Sequence, residues 1–274
     1  MKRLLSISLA GVTKQRNQSS YVKNKVVPCK FDGGVGGQKG KVGVVLLSGD
    51  QTLEKDLCSV LHPLEVGCFF SRVEMVNEVT PETLQSMRMR IGGSASLILP
   101  ESKLDVLAYG CTSAAATIGE EKVFEQLSKR DASAFKTTPV TAALEAFKAS
   151  DARKIGLVTP YIGEVNEILI KYIEGKGPWR VTNLSSFNLI RDADVASVTK
   201  NSIVEAATQM GANDDVDTVF ISCTNLRTSD IITDIEKVTG KLTTSSNMSM
   251  AWHIVRLLGI KDDLSGSYGK LFSR

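Results

Sequence analysis

Histidine is almost missing from this 274-residue chain: His62 and His253 are the only two. No Cys-x-x-Cys pair occurs, and the five cysteines (Cys29, Cys58, Cys68, Cys111 and Cys223) are odd in number. A zinc site needs clustered Cys and His ligands, so none is expected, and an odd count in a chain this long is no disulfide framework. A reducing, cytoplasm-like compartment is the default. Aromatics are scarce at 6%, which does not suit a β-sandwich and does suit an α/β enzyme. Long apolar runs are lacking too. The best, Leu4 to Val12, is broken by Ser6 and Ser8 and falls short of the roughly 18 residues that a membrane span needs.

Acidic residues are absent from positions 1–31, which hold seven Lys/Arg; the remainder carries 26 basic and 30 acidic residues. The formal charge of +3 therefore belongs to the N-terminus, and the body is mildly acidic, with no basic face for nucleic acid. The basic start reads either as an organelle-targeting presequence or as an extension outside the folded body. Gly33-Gly-Val-Gly-Gly37 follows no strand and reads as a linker, not a phosphate loop.

What is present is a repeat. Lys41-Val-Gly-Val-Val-Leu-Leu47 resembles Lys154-Ile-Gly-Leu-Val-Thr-Pro160 at an offset of 113. Asp105-Val-Leu-Ala-Tyr-Gly-Cys-Thr-Ser113 resembles Asp217-Thr-Val-Phe-Ile-Ser-Cys-Thr-Asn225 at an offset of 112. Two pairs at nearly one offset indicate two copies of one lobe. Each copy runs from an apolar strand (42–47 or 155–159) to a helix, a second helix (Pro81 to about Arg90, or about Thr199 to Met210), a strand ending at a cysteine, and a closing helix (141–149 or about 249–258). Val165, Ile168, Leu169, Tyr172 and Ile173 form one helical stripe, stopped by Gly175 and Gly177. Thr80 and Ser197 or Thr199 are candidate N-caps. Continuous apolar strands between helices predict an α/β fold of two pseudo-symmetric Rossmann-like lobes with parallel sheets. The expected division is 1–40 as the basic extension, 41–138 as the first lobe completed by 245–274, and 139–244 as the second.

Sites in such folds lie just past strand ends. Those positions hold Ser48-Gly-Asp50, Cys111-Thr-Ser113, Pro160-Tyr161, Cys223-Thr-Asn225 and Ser245-Ser-Asn247. The matched cysteines, expected to face one cleft roughly 6–10 Å apart and too far for a disulfide, are the candidate catalytic pair. A thiol at a helix start is activated by nearby N–H groups, and those groups with Thr112, Ser113, Thr224 and Asn225 can cradle a carboxylate. Thiols on both faces of a planar enolate-like species can remove and return a proton, or attack carbon, without metal or organic cofactor. Cys29, Cys58 and Cys68 read as non-catalytic. Tyr161 reads equally as a substrate contact or a strand-end cap. Asp50 reads equally as a substrate contact or an N-cap for a helix starting near Leu53. His253 reads as structural and His62 as a loop residue.

The motifs Tyr109-Gly-Cys-Thr-Ser113, Thr159-Pro-Tyr161 with Val165-Asn166, Ser222-Cys-Thr-Asn-Leu-Arg227, and Thr244-Ser-Ser-Asn247 with Ala251-Trp252 resemble the aspartate/glutamate racemase superfamily, in its maleate isomerase and arylmalonate decarboxylase branch. Thr-Thr-Pro-Val-Thr-Ala-Ala at 137–143 and Ser-Phe-Asn at 186–188 are most similar to the ectoine-utilisation proteins of that branch. The resemblance covers about 41–260. It implies that Cys111 attacks a double bond to give a thioether adduct, that Cys223 takes part in proton transfer, and that Tyr161, Thr112, Ser113 and Thr224 hold carboxylates. Decarboxylases of the branch keep only the second cysteine, so Cys111 argues against that activity. Asp50 stands where maleate isomerases carry asparagine, and their other carboxylate-side asparagine falls near Arg191 or Asp192. Both changes disfavour a dicarboxylate, and an anionic Asp50 suits a substrate amine or amidine.

The resulting expectation is a cytoplasmic isomerase or racemase of a small carboxylate. Cys111 and Cys223 are its catalytic residues, and Asp50, Thr112, Ser113, Tyr161, Thr224 and Asn225 contact substrate. It uses no cofactor and no metal, has no nucleic-acid or membrane partner, and is compatible with a dimer or tetramer. The alternatives are a racemase or epimerase of an amino acid or ectoine-related compound, and a non-catalytic carboxylate sensor on the same fold.

Overall fold

The computed structural model describes residues 28–30 and 36–274. The first three belong to a unit ending at Gly33, and the second unit is Gly34–Arg274. The basic N-terminal extension and most of the glycine run at 33–37 lie outside the described residues.

The first sheet is built from β1 (Gly40–Leu47), β2 (Val66–Val73), β3 (Val106–Gly110) and β4 (Phe135–Thr137), in the order β2-β1-β3-β4. Its helices are α1 (Leu53–Leu61), α2 (Pro81–Ser86), α3 (Arg88–Ser96), α4 (Thr112–Ile118), α5 (Glu120–Ser128) and α6 (Pro139–Ala149). The second sheet repeats the pattern with β5 (Lys154–Thr159), β6 (Arg180–Ser186), β7 (Thr218–Ile221) and β8 (Leu242–Ser245), in the order β6-β5-β7-β8. Its helices are α7 (Gly163–Lys176), α8 (Asp192–Ser197), α9 (Lys200–Gly211), α10 (Ile232–Thr239), α11 (Ser246–Leu257) and α12 (Ser265–Tyr268). Every strand pair within the two sheets is parallel. No helix among the described residues is long and apolar enough to cross a membrane.

The repeat extends to single hydrogen bonds. Asp105 accepts from the Lys41 N–H (2.8 Å) and Asp217 from the Lys154 N–H (2.8 Å), so one carboxylate ties the start of the third strand of each copy, β3 or β7, to the start of the first. Central strands are sealed: every residue of β3 and of β7 is buried. Each fully buried Val, Leu or Ile contributes about 1.5–3 kcal/mol, so these strands anchor both sheets.

The helices depart from expectation in detail. The helix from Pro81 breaks at Met87 and resumes as α3, because the Thr80–Thr83 capping box and Pro81 define one short turn and Met87 bonds back to Leu84 and Gln85. Thr199 caps α9 by accepting from the Ser202 N–H (3.2 Å), whereas Ser197 ends α8 and donates to Ala193 O. The closing helices begin earlier than the apolar pattern suggested. Thr138 and Ser245 cap α6 and α11 by accepting from the N–H groups of Thr141 and Met248. Gly175 lies inside α7, which ends at Lys176. Helix α11 packs on α6 and α1, and α4 packs on α7, so helices following one sheet support elements of the other.

Candidate active site

The loops after β1, β3, β5 and β7 enclose a small, tight cavity. Its lining includes Asp50, Cys111, Thr112, Ser113, Tyr161, Asp192, Cys223 and Thr224, with Leu47, Val79, Leu84 and Val195 as the apolar wall. The eight named first are at most 7% exposed, so the cavity is nearly closed to solvent. Seven of the eight expected site residues therefore meet in one place. The eighth, Asn225, stands one layer back. Its Oδ1 accepts from the Gln51 N–H (2.9 Å), and its Nδ2 donates to Asp192 Oδ2 (3.0 Å) and to Gly49 O (3.5 Å). Asn225 shapes the loop that holds Asp50 and orients Asp192.

Cys111 directly follows β3 and is the N-cap of α4, its sulfur accepting from the Ala114 N–H (3.4 Å) and lying 3.6 Å from Ser113 Oγ. Cys223 follows β7 with φ of 144°, a backbone region that costs an L-residue about 1–3 kcal/mol. Ser246, at the start of α11, holds it there by accepting from the Cys223 N–H (3.0 Å) while bonding Thr112 Oγ1 (2.7 Å). One hydroxyl thus links the two cysteine loops. Asn247 reinforces them, its Nδ2 donating to Thr224 O and to Asp56 Oδ2 (both 2.9 Å). The sequence flagged this Ser-Ser-Asn loop by position without assigning it a role, because its work is support and carries no reactive group.

Both thiols are free. Burial pushes the Cys111 thiol up to about 12, opposed by the Ala114 N–H and Ser113 and reinforced by the charges of Asp192 and Asp50. Cys223 is raised well above its ordinary value, by burial first and Asp192 second. Tyr161 presents its hydroxyl to Ser222 (3.5 Å) and Cys223. Its backbone turn is pinned by Asn166, which donates to Tyr161 O (2.8 Å) and accepts from Thr159 Oγ1 (2.6 Å).

Asp50 takes the helix-starting role that its sequence left open, and it also lines the cavity. Oδ1 accepts from the N–H groups of Thr52 (2.9 Å) and Leu53 (2.8 Å) and starts α1, while Oδ2 is buried without a partner. The neighbouring Thr224 hydroxyl donates instead to Gly110 O (3.4 Å). Asp192 was not singled out as a site residue, yet it lines the same cavity beside Asp50. Gly49 makes room for it, since a Cβ there would stand 2.9 Å from Asp192 Oδ2. Burial and the Asp50 charge push Asp192 up to about 6, against the Asn225 hydrogen bond. Burial likewise raises Asp50, against the Thr52 and Leu53 N–H groups.

The model for the arylmalonate decarboxylase family matches residues 76–272, most of the chain. The chain belongs to the arylmalonate decarboxylase family. Within it, a maleate isomerase of Nocardia farcinica is 24% identical over 237 residues, covering 83% of this chain and 93% of that protein. The crystal structure of the maleate isomerase Iso from Pseudomonas putida S16 superposes with a TM-score of 0.76 at 23% identity, covering 85% of this chain and 98% of that one. A mutant Nocardia farcinica maleate cis-trans isomerase with a covalently bound succinylcysteine intermediate gives a TM-score of 0.75 at 22% identity, over 85% of this chain and 98% of that one. This family member thus shares the two-sheet α/β fold of maleate isomerases.

His253 is half-buried and bonds Thr137 Oγ1 through Nδ1 (2.9 Å), away from the cavity-lining residues. Cys29 is exposed. Cys58, Cys68 and His62 lie outside the cavity lining but next to one another, which the sequence reading did not anticipate. The expectation of no metal-ligating cluster is corrected on this point: the chain turns between α1 and β2 and brings together donors that are scattered in sequence.

Proposed function

We propose that this protein is a cofactor-independent isomerase or racemase of a small carboxylate, with Cys111 and Cys223 as its reactive pair. The observation that carries the reading is the joint burial of two free thiols from equivalent strand ends in one cavity. Cys111 acts as nucleophile or base and Cys223 delivers the proton. The hydroxyls of Thr112, Ser113 and Thr224 and the phenol of Tyr161 hold the carboxylate and the charge that develops on it. A relative bearing a succinylcysteine intermediate supports covalent participation of a cysteine in this fold.

Burial first, then the charge of Asp192 at both sulfurs and of Asp50 at Cys111, disfavours a thiolate in this cavity. A substrate with a cationic nitrogen reverses that sign. Placed against the unpartnered Asp50 Oδ2, it compensates both carboxylates and lowers the cost of ionising a thiol. This favours an amino acid or an ectoine-related cyclic amidine over a dicarboxylate such as maleate, and racemisation or epimerisation of its stereocentre over lasting addition to a double bond.

The test is a panel of dicarboxylates, amino acids and cyclic amidine carboxylates incubated in deuterated water with wild type, Cys111→Ala and Cys223→Ala. Turnover of a cationic carboxylate with deuterium at the stereocentre, lost in both variants, supports the reading. Turnover that persists without either cysteine overturns it. Binding without turnover across the panel points to the carboxylate sensor instead.

A further inference from the structure

Three soft ligands meet on the outside of the first sheet, and the cavity chemistry uses none of them. Cys58 is in the second half of α1, His62 immediately follows that helix, and Cys68 is in β2. Their donor atoms all lie within 4.8 Å of one another. The two thiols are half-buried and free, while His62 is exposed, so the cluster is open to solvent on the imidazole side.

The local fold builds this arrangement. Residues 58 and 62 are four apart, and the His62 N–H donates to Cys58 O, so the helical turn continues and both side chains leave the same face. A short 3-10 turn runs over His62–Leu64 with Pro63 in its middle, and Glu65 at φ of 60° reverses the chain into β2. Helix α1 packs on β2, bringing Cys68 up to that same face from a second element. Among the described residues none of the three donors is held by an ion pair; Cys68 makes a long contact to Val66 O (4.0 Å) and meets the Cys58 thiol side by side.

We propose that Cys58, His62 and Cys68 form a binding site for a thiophilic divalent cation, Zn²⁺ being the fitting one, with a fourth position left to water. Zinc takes thiolate sulfur at about 2.3 Å and imidazole nitrogen at about 2.0 Å, which sets donors in a tetrahedron less than about 4 Å apart. Rotamer adjustments of about 1 Å close the present spacing to that value. Binding involves no redox change. Each thiol releases one proton to solvent, the two thiolates and the neutral imidazole each donate an electron pair, and the net charge of the site becomes zero. The ion would tie the end of α1 to β2, an edge strand of the first sheet.

The site can be tested without reference to turnover. Full-length protein carrying Cys111→Ser and Cys223→Ser, kept reduced with a phosphine, is titrated with Zn²⁺ against a chromophoric chelator and separately with Co²⁺. One equivalent of Zn²⁺ should bind and raise Tm. The Co²⁺ adduct should show thiolate-to-cobalt charge-transfer absorption. Adding Cys58→Ser or Cys68→Ser should abolish both signals, and His62→Gln should increase the dissociation constant. Circular dichroism checks that each variant folds, with Cys68→Ala as the second choice where serine does not. In the otherwise wild-type chain, Cys68→Ser should leave turnover unchanged. Zn²⁺ binding that survives Cys58→Ser with Cys68→Ser overturns the proposal. So does uptake by the parent no tighter than by that double variant, or a Co²⁺ adduct without charge-transfer bands.

Discussion

Asp192 is pushed up to about 6, so its carboxyl holds a proton under conditions where an ordinary aspartate has lost it. The sign follows directly. Between about pH 4 and pH 6 the unfolded chain has released this proton and the folded chain still binds it, so stability falls as pH rises through that window. Asp192→Asn removes the penalty while keeping an oxygen for the Asn225 amide. It should raise Tm at pH 7.5 by an amount worth up to about 3 kcal/mol, and the gain over wild type should vanish below about pH 4 in thermal melts. The same variant should lower kcat/KM for a cationic carboxylate roughly 10- to 100-fold, the worth of one charge-assisted hydrogen bond. At the sulfurs, Cys111→Ser and Cys223→Ser should each reduce kcat about 10²- to 10⁴-fold in steady-state assays, with folding intact by circular dichroism. The cysteines were legible in the sequence because the repeat paired them. Asp192 was legible only as one of two positions near a family asparagine, because it stands at the start of a short helix outside the two matched motifs and its raised pKa arises only when burial and Asp50 act on it together.

At the level of elements, the support for the cavity rests on α11. Ser246→Ala leaves the Cys223 N–H without its partner and releases Thr112, so it should cost about 1–3 kcal/mol in urea unfolding. It should also depress kcat and raise KM together, since it moves the Cys223 loop and frees Thr112, a carboxylate contact. The other vulnerable element is the start of β2. A Cβ at Gly67 would lie 1.4 Å from Gly36 O, a backbone collision that no rotamer relieves. Gly67→Ala should therefore displace the segment before β1, read as faster amide exchange around Lys39, whose N–H bonds Glu65 O (3.2 Å). Central strands were readable because both of their faces are buried and their sequences run unbroken as apolar stretches. Edge strand β6 alternates between exposed and half-buried residues, and β4 and β8 have only three and four residues, so none of them leaves a comparable pattern. The same holds for the Cys58–His62–Cys68 cluster, whose third member arrives through a chain reversal that spacing alone does not reveal.

For the whole molecule, the decisive contact is where residues 77–79 meet residues 190–193. Glu78 and Arg191 form an antiparallel bridge in a molecule whose sheets are otherwise parallel. The Val79 N–H donates to Ile190 O (2.7 Å), the Asp192 N–H to Asn77 O (2.8 Å) and the Ala193 N–H to Asn77 Oδ1 (3.3 Å). Val79, Asp192 and Val195 carry this clasp directly over the cavity. Opening it would widen the way into the cavity, and a bound molecule that bridges Asp192 and the thiols would keep it fastened. Competitive inhibitors should accordingly show curved progress traces, with potency that grows over the time of preincubation.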